Sequence, residues 1–143
     1  MMRVQWLVGE WSGTGWSEMG PDKRKNLIPT AIVQSKLDGL LLVFELQARN
    51  EDSSTSPIAM GFLSYDEQAR NYRWNAFTAE GRHINTEAKV ETDTLQWTIQ
   101  RPEGGEIRYT IKHNDKDEWF EVGEMRNDGD WHKFFEMTLQ RQK

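Results

Sequence analysis

The chain contains no cysteine. That excludes a disulfide framework, a thiolate metal site and a cysteine nucleophile. A cysteine-free protein suits cytoplasm and periplasm alike, so the compartment stays open. Long apolar runs are missing too. The longest, Leu40-Leu41-Leu42-Val43-Phe44, is far short of the roughly 20 residues a membrane helix needs. Met1-Met2-Arg3 carries no signal-peptide pattern and leads directly into what reads as a strand. Histidine is scarce. His83, His113 and His132 are widely separated, with no His-x-x-x-His zinc spacing. No metal site is expected.

Positive charge is in deficit as well. Eighteen Lys and Arg stand against twenty-three Asp and Glu, a net charge of −5. Nucleic acids and anionic membranes both need a basic footprint, so neither is an expected partner. The one basic cluster, Lys23-Arg24-Lys25, is flanked by Asp22 and Asn26 and reads as a solvated loop.

Mean hydropathy is only −0.82, which raises the question of whether a core exists. Seven Trp, three Tyr and six Phe among 143 residues answer it, because disordered chains are poor in such residues. The length fits one domain, 1–143, able to bury a core. The polar balance then belongs to a wet outer face.

The dominant period is two. From Trp131 the odd positions Trp131, Phe135, Met137 and Leu139 are apolar, while the even ones are mostly polar. This is the signature of a half-buried strand. Leu95–Ile99 and Ile107–Ile111 repeat it with β-branched and aromatic residues. Turn chemistry separates such runs, most clearly at Asn127-Asp128-Gly129-Asp130. Ten strands are predicted, over 6–17, 29–36, 40–49, 56–65, 71–79, 83–90, 93–100, 106–112, 117–126 and 131–141. The Gly20–Leu27 stretch is expected to be a loop or a single helical turn. Ten short strands on tight hairpins form an antiparallel meander, which tends to curl and close. The predicted fold is all-β, one ten-stranded up-and-down barrel. A two-sheet sandwich needs longer connections than these turns provide.

The opening strand reads Leu7-Val8-Gly9-Glu10-Trp11-Ser12-Gly13-Thr14-Gly15. Its Gly-x-Trp-x-Gly-x-Gly spacing resembles the opening strand of calycins, the superfamily of lipocalins and fatty-acid-binding proteins. It is similar both to nitrobindins and to a large bacterial family of uncharacterised lipocalin-like domains. Gly61-Phe62-Leu63-Ser64-Tyr65-Asp66 resembles a mid-chain corner of that bacterial family, with Ser64 where Gly is usual. Asn71-Tyr72-Arg73-Trp74 and the closing Phe135–Arg141 run also resemble its later strands. The resemblance spans nearly the whole chain. It implies a calycin-like barrel in which Trp11 plugs the closed end beneath Arg141. Independently of any family, the glycines beside Trp11 strip side chains from one face, so another element can approach closely.

Catalytic residues are not expected; the enzyme question stays open, with binding preferred. There is no Gly-x-Ser-x-Gly and no phosphate-cradling loop before a helix. Glu45 and Glu124 interrupt apolar strands, and a carboxylate among such neighbours could serve as acid, base or ligand anchor. An isomerase or cyclase using one of them is one alternative. Glu45 equally fits the outer face, sharing its parity with Gln47 and Arg49. A haem barrel handling reactive nitrogen species, as in nitrobindins, is the other. It implies His132 as proximal ligand, although His132 precedes Lys133-Phe134-Phe135 and shares its parity with polar residues. The preferred expectation is a cavity without an essential cofactor that binds a small, largely apolar ligand. Its lining is expected to include Tyr72, Trp74, Trp97, Tyr109, Glu124, Phe135 and Met137, since aromatics and Met suit such ligands. The same side chains could also fill the barrel completely. A homodimer is expected to form, if at all, through an exposed strand or the side of the last strand that carries Phe134, a lone apolar residue on a polar face.

Overall fold

Alternating residues fold as strands almost everywhere the pattern occurs. The computed structural model describes residues 2–18 and 24–142. Its strands are β1 (Gly9–Glu18), β2 (Arg24–Leu27), β3 (Pro29–Lys36), β4 (Leu41–Arg49), β5 (Thr55–Asp66) and β6 (Asn71–Thr78). They continue as β7 (His83–Glu91), β8 (Thr94–Gln100), β9 (Glu106–His113), β10 (Glu118–Arg126) and β11 (His132–Arg141). From β3 to β11 each strand pairs antiparallel with the next, and β11 returns to β1, Trp11 opposite Arg141 and Ser17 opposite Phe135. The sheet is a closed ten-stranded antiparallel barrel with one additional short strand. Closure leaves no pair of separate sheets, so the sandwich alternative falls.

The additional strand corrects the expected loop. Residues 20–23, and with them Lys23 of the basic cluster, lie outside the described residues. Arg24–Leu27, however, pairs with β1 in the register that β3 continues, Gly15 opposite Leu27 and Ser12 opposite Thr30. β2 and β3 are thus one line of pairing interrupted at Ile28. β2 is almost wholly exposed, so no hydrophobic alternation marks it in the sequence.

The first strand also begins later than predicted. Met2–Leu7 forms a 3-10 segment kinked at Val4. Val4 and Leu7 are fully buried, and a three-residue turn brings positions three apart onto one side. A period-two reading is blind to that spacing.

The close approach expected at the glycines of β1 is present. A side chain at Gly13 would collide with the Thr138 carbonyl oxygen, and one at Gly15 would reach 2.7 Å from Met137 Cβ. Crossing that tightly lets β1 coil across β11 and complete the closure.

One irregularity decides which residues face inward. Gly123 pairs with Phe135 but Glu124 pairs with Lys133, leaving Phe134 as the extra residue of a β-bulge. A bulge re-aims the side chains beside it. Phe134 is consequently buried, 9% exposed, rather than standing on the outer face. Phe134 is therefore not the exposed apolar residue on which the expected homodimer surface was based.

Candidate functional site

The two ends of the barrel differ. At the end where β1 starts and β11 finishes, aromatic and charged groups close the floor. The Arg141 guanidinium lies 4.3 Å from the centre of the Trp11 ring. Its Nη1 donates to the Val8 carbonyl and its Nη2 to the Trp6 carbonyl, both at 2.7 Å. Trp11 Nε1 donates in turn to the Leu7 carbonyl at 2.8 Å. Asp117 accepts from Arg141 Nε at 3.2 Å, and its other oxygen is 2.7 Å from His113 Nε2. These contacts hold the Asp117 carboxyl below the usual range, the hydrogen bond from Arg141 most of all and that with His113 next. His113 itself stacks on Trp6, ring centres 4.3 Å apart. The initial 3-10 segment is thereby stapled across the barrel end, and the Trp11–Arg141 contact implied by the resemblance is part of that staple.

Above this floor lies a cavity of about 340 Å3. Its wall is a run of aromatic rings. Phe44 meets Trp74 edge-on at 5.1 Å, Trp74 stacks on Trp97 at 4.5 Å, and Trp97 stacks on Tyr109 at 5.5 Å. Tyr109 then meets Phe134 and Phe135 edge-on. Such offset and perpendicular pairs contribute about 0.5–1.5 kcal/mol each beyond their area burial. Trp119 stands between the wall and the floor, touching both Phe44 and Trp11 edge-on. Ala31, Ala59, Gly61 and Ala76 also line the space. Small residues opposite large rings keep it from filling. The mouth is at the other end, among Ser17, Leu27, Ile58, Thr78, Glu80 and Ile84, all near strand ends on that side.

Of the expected lining residues, Trp74, Trp97, Tyr109, Phe135 and Met137 face this space. Tyr72 does not. It packs edge-on against Tyr65 at 4.9 Å and on the margin of the core. Glu124 is on the outer face. Its Oε1 accepts from Arg108 Nη2 at 3.0 Å, within a polar groove that also holds Lys89, Glu91 and Lys112. Glu45 borders the cavity rim, but its cross-strand neighbours are Ile32 and Met60, both 39% exposed, which places it on the outer face. Neither acid proposed for catalysis therefore projects into the interior. His132 is exposed at the start of β11 and is not among the lining residues. No histidine lines the cavity among the described residues.

The inward acid is Glu121, 5% exposed and the one buried charged residue among the described residues. The sequence reading missed it because β10 has an inverted pattern. Phe120 and Val122 face outward, while Trp119, Glu121 and Gly123 are buried on the inner side. Parity with Trp119 was the available signal. Trp119 Nε1 donates to Glu121 Oε1 at 3.0 Å. Among the described residues no group donates to Oε2. Desolvation pushes the Glu121 carboxyl up to about 7, against the Trp119 hydrogen bond, which favours ionisation. Burial likewise pushes the neighbouring Tyr109 phenol upward, and the charge of Glu121 adds to that. The site thus combines an apolar aromatic chamber with one half-satisfied carboxyl near its base.

Comparison with solved structures finds the same fold in the crystal structure of Rv2717c from M. tuberculosis. The TM-score is 0.68 at 14% identity, covering 98% of this chain and 95% of that one. At that identity the likeness concerns the fold alone. No curated protein matches the chain. The model of a family of proteins of unknown function, DUF1579, matches residues 2–141, and the chain belongs to that family.

Proposed function

We propose that this protein binds a small, largely apolar molecule inside the barrel and does so without a cofactor. The observation that supports the reading is the cavity itself. A filled barrel would close on its own side chains, yet about 340 Å3 remains between the aromatic wall and the mouth. That volume is at the lower end of the roughly 300–1,000 Å3 typical of small-molecule sites. The glycine and alanines facing the rings maintain the space, and the stapled floor keeps it open at one end only. A calycin-like binding role, in the sense of lipocalins, fits this arrangement.

The test uses a neutral aromatic probe, 2-naphthol, titrated while the tryptophan emission is followed. Trp74, Trp97 and Trp119 line the chamber, so occupation is expected to quench or shift that emission saturably. Ala76→Leu, which adds volume inside the cavity, is expected to weaken the response. No saturable response from the wild-type protein overturns the reading.

A further inference from the structure

Among the described residues that line the cavity, the charged ones are all acidic: Glu80 at the mouth, Glu121 near the base and the outward-turned Glu45. Arg82 lies beyond the mouth, where its charge and that of Glu80 act on Tyr109 with opposite signs. An anionic ligand, such as a fatty acid, that reached the base would bring its carboxylate against Glu121, with no Lys, Arg or His among the described lining residues to balance it. The Glu121 carboxyl has one oxygen held by Trp119 and the other without a protein donor among the described residues. That second oxygen is available to a ligand able to donate to it, and a hydrogen bond in which a partner is charged is the stronger kind.

We infer that the ligand of this cavity is an apolar amine, whose ammonium group donates to Glu121 while its hydrocarbon body lies along the aromatic wall. This inference rests on the reading of the cavity as a binding site.

Three physical arguments carry it. The Glu121 carboxyl is already desolvated in the free protein, so an incoming ammonium loses only its own hydration. That differs from forming a buried ion pair from two solvated partners, where the double desolvation often cancels the attraction. Aromatic faces then replace part of the lost hydration. Trp119 meets Glu121 with its N–H edge, but Tyr109 lies close enough for the Glu121 charge to act on it, and aromatic ring faces attract cations, most strongly where water is excluded. Third, the groups opposite Glu121 do not compete for it. Its cross-strand neighbours are Ile111 on β9 and Met137 on β11, neither of which supplies a hydrogen-bond donor from its side chain. The carboxyl is therefore left for a ligand.

The experiment compares three probes of one shape, 4-phenylbutylamine, 4-phenylbutan-1-ol and 4-phenylbutyrate, by titration calorimetry near pH 8. The expected order of affinity is amine, then alcohol, then carboxylate. A charge-assisted hydrogen bond makes the amine about 10-fold or more tighter than the alcohol. Glu121→Gln is expected to bring the amine down to the affinity of the alcohol and to improve carboxylate binding. Equal affinities for amine and alcohol, or a carboxylate that binds best, overturn the inference while leaving the cavity as a site. Failure of all three to bind overturns both readings. The wild-type comparison decides the matter even if the variant is unstable.

Discussion

The six-membered ring of Trp74 fills the space where a side chain at Gly61 would stand. Gly61 lies within the mid-chain segment whose resemblance to a family corner is visible in the sequence. Its physical role is to let β5 pass directly beneath an indole on β6. The same ring stacks on Trp97 and meets Phe44, so the glycine sets the position of much of the cavity wall.

Replacing Gly61 by Ala therefore drives Trp74 away from β5 and toward the open chamber. Overpacking of this kind costs roughly 1–3 kcal/mol. Thermal unfolding is expected several degrees lower, with altered near-ultraviolet circular dichroism from the Trp74–Trp97 stack and weaker 2-naphthol binding. A Gly61→Ala variant matching the parent in all three contradicts the account of the wall.

Arg141 is expected to be the more consequential residue for folding. One guanidinium serves two backbone carbonyls, the Trp11 face and Asp117. Hydrogen bonds from charged donors contribute about 1.5–3 kcal/mol each, and shared partners make the total less than additive. Arg141→Ala is expected to cost about 2–4 kcal/mol in urea unfolding. Arg141→Lys should restore only part of this, because an ammonium lacks the planar fork that reaches both carbonyls. Full restoration by Lys would show that charge alone matters here.

Glu124 supplies the contrast. Its pairing with Arg108 is partly exposed on both sides, and such pairs are worth about 0–1 kcal/mol. Glu124→Gln is expected to leave 2-naphthol binding unchanged and stability within about 0.5 kcal/mol. Loss of probe binding in this variant would mean that Glu124 communicates with the cavity, against its outward placement.

Glu121 and Glu124, on opposite faces of β10, also show where sequence reasoning runs out. Alternation located the barrel strands to within a few residues, because half-buried strands must alternate. Choosing which parity faces inward was harder. In β10 the outer face carries Phe120 and Val122, and the inner face carries Glu121 and Gly123. Hydropathy thus points to the wrong side, and only Trp119 marks the right one. Near Phe134 the parity itself changes, because one extra residue at a bulge is invisible to a strict period of two. β2 has no buried face to betray it and is fixed by pairing with β1 alone. The Trp11–Arg141 contact was legible through the resemblance to calycins alone, which implies a Trp of the first strand beneath an Arg of the last. The closure that sets Trp11 opposite Arg141 provides for it.

The sharpest prediction concerns Glu121 and pH. In an unfolded chain this carboxyl titrates at its ordinary value near 4.5, whereas in the folded protein desolvation raises it to about 7. Between those values the folded state holds a proton that the unfolded state has released. Stability contributed by the protonated carboxyl is thus fully present below about pH 4.5 and is lost as pH rises to about 7. A shift of that size corresponds to about 3 kcal/mol. The depressed carboxyls of Asp117 and Glu118 act with the opposite sign and at lower pH, so they do not mask the window. Contributions from other groups are common to parent and variant and cancel when the two are compared. Glu121→Gln, which keeps an acceptor for Trp119 but cannot ionise, is expected to match the parent near pH 4.5. Above pH 7 it should exceed the parent by up to about 3 kcal/mol. Urea unfolding of both proteins across pH 4–8 measures that difference directly. Parallel curves would mean that the Glu121 carboxyl is solvated in the folded state and that the base of the chamber is wet.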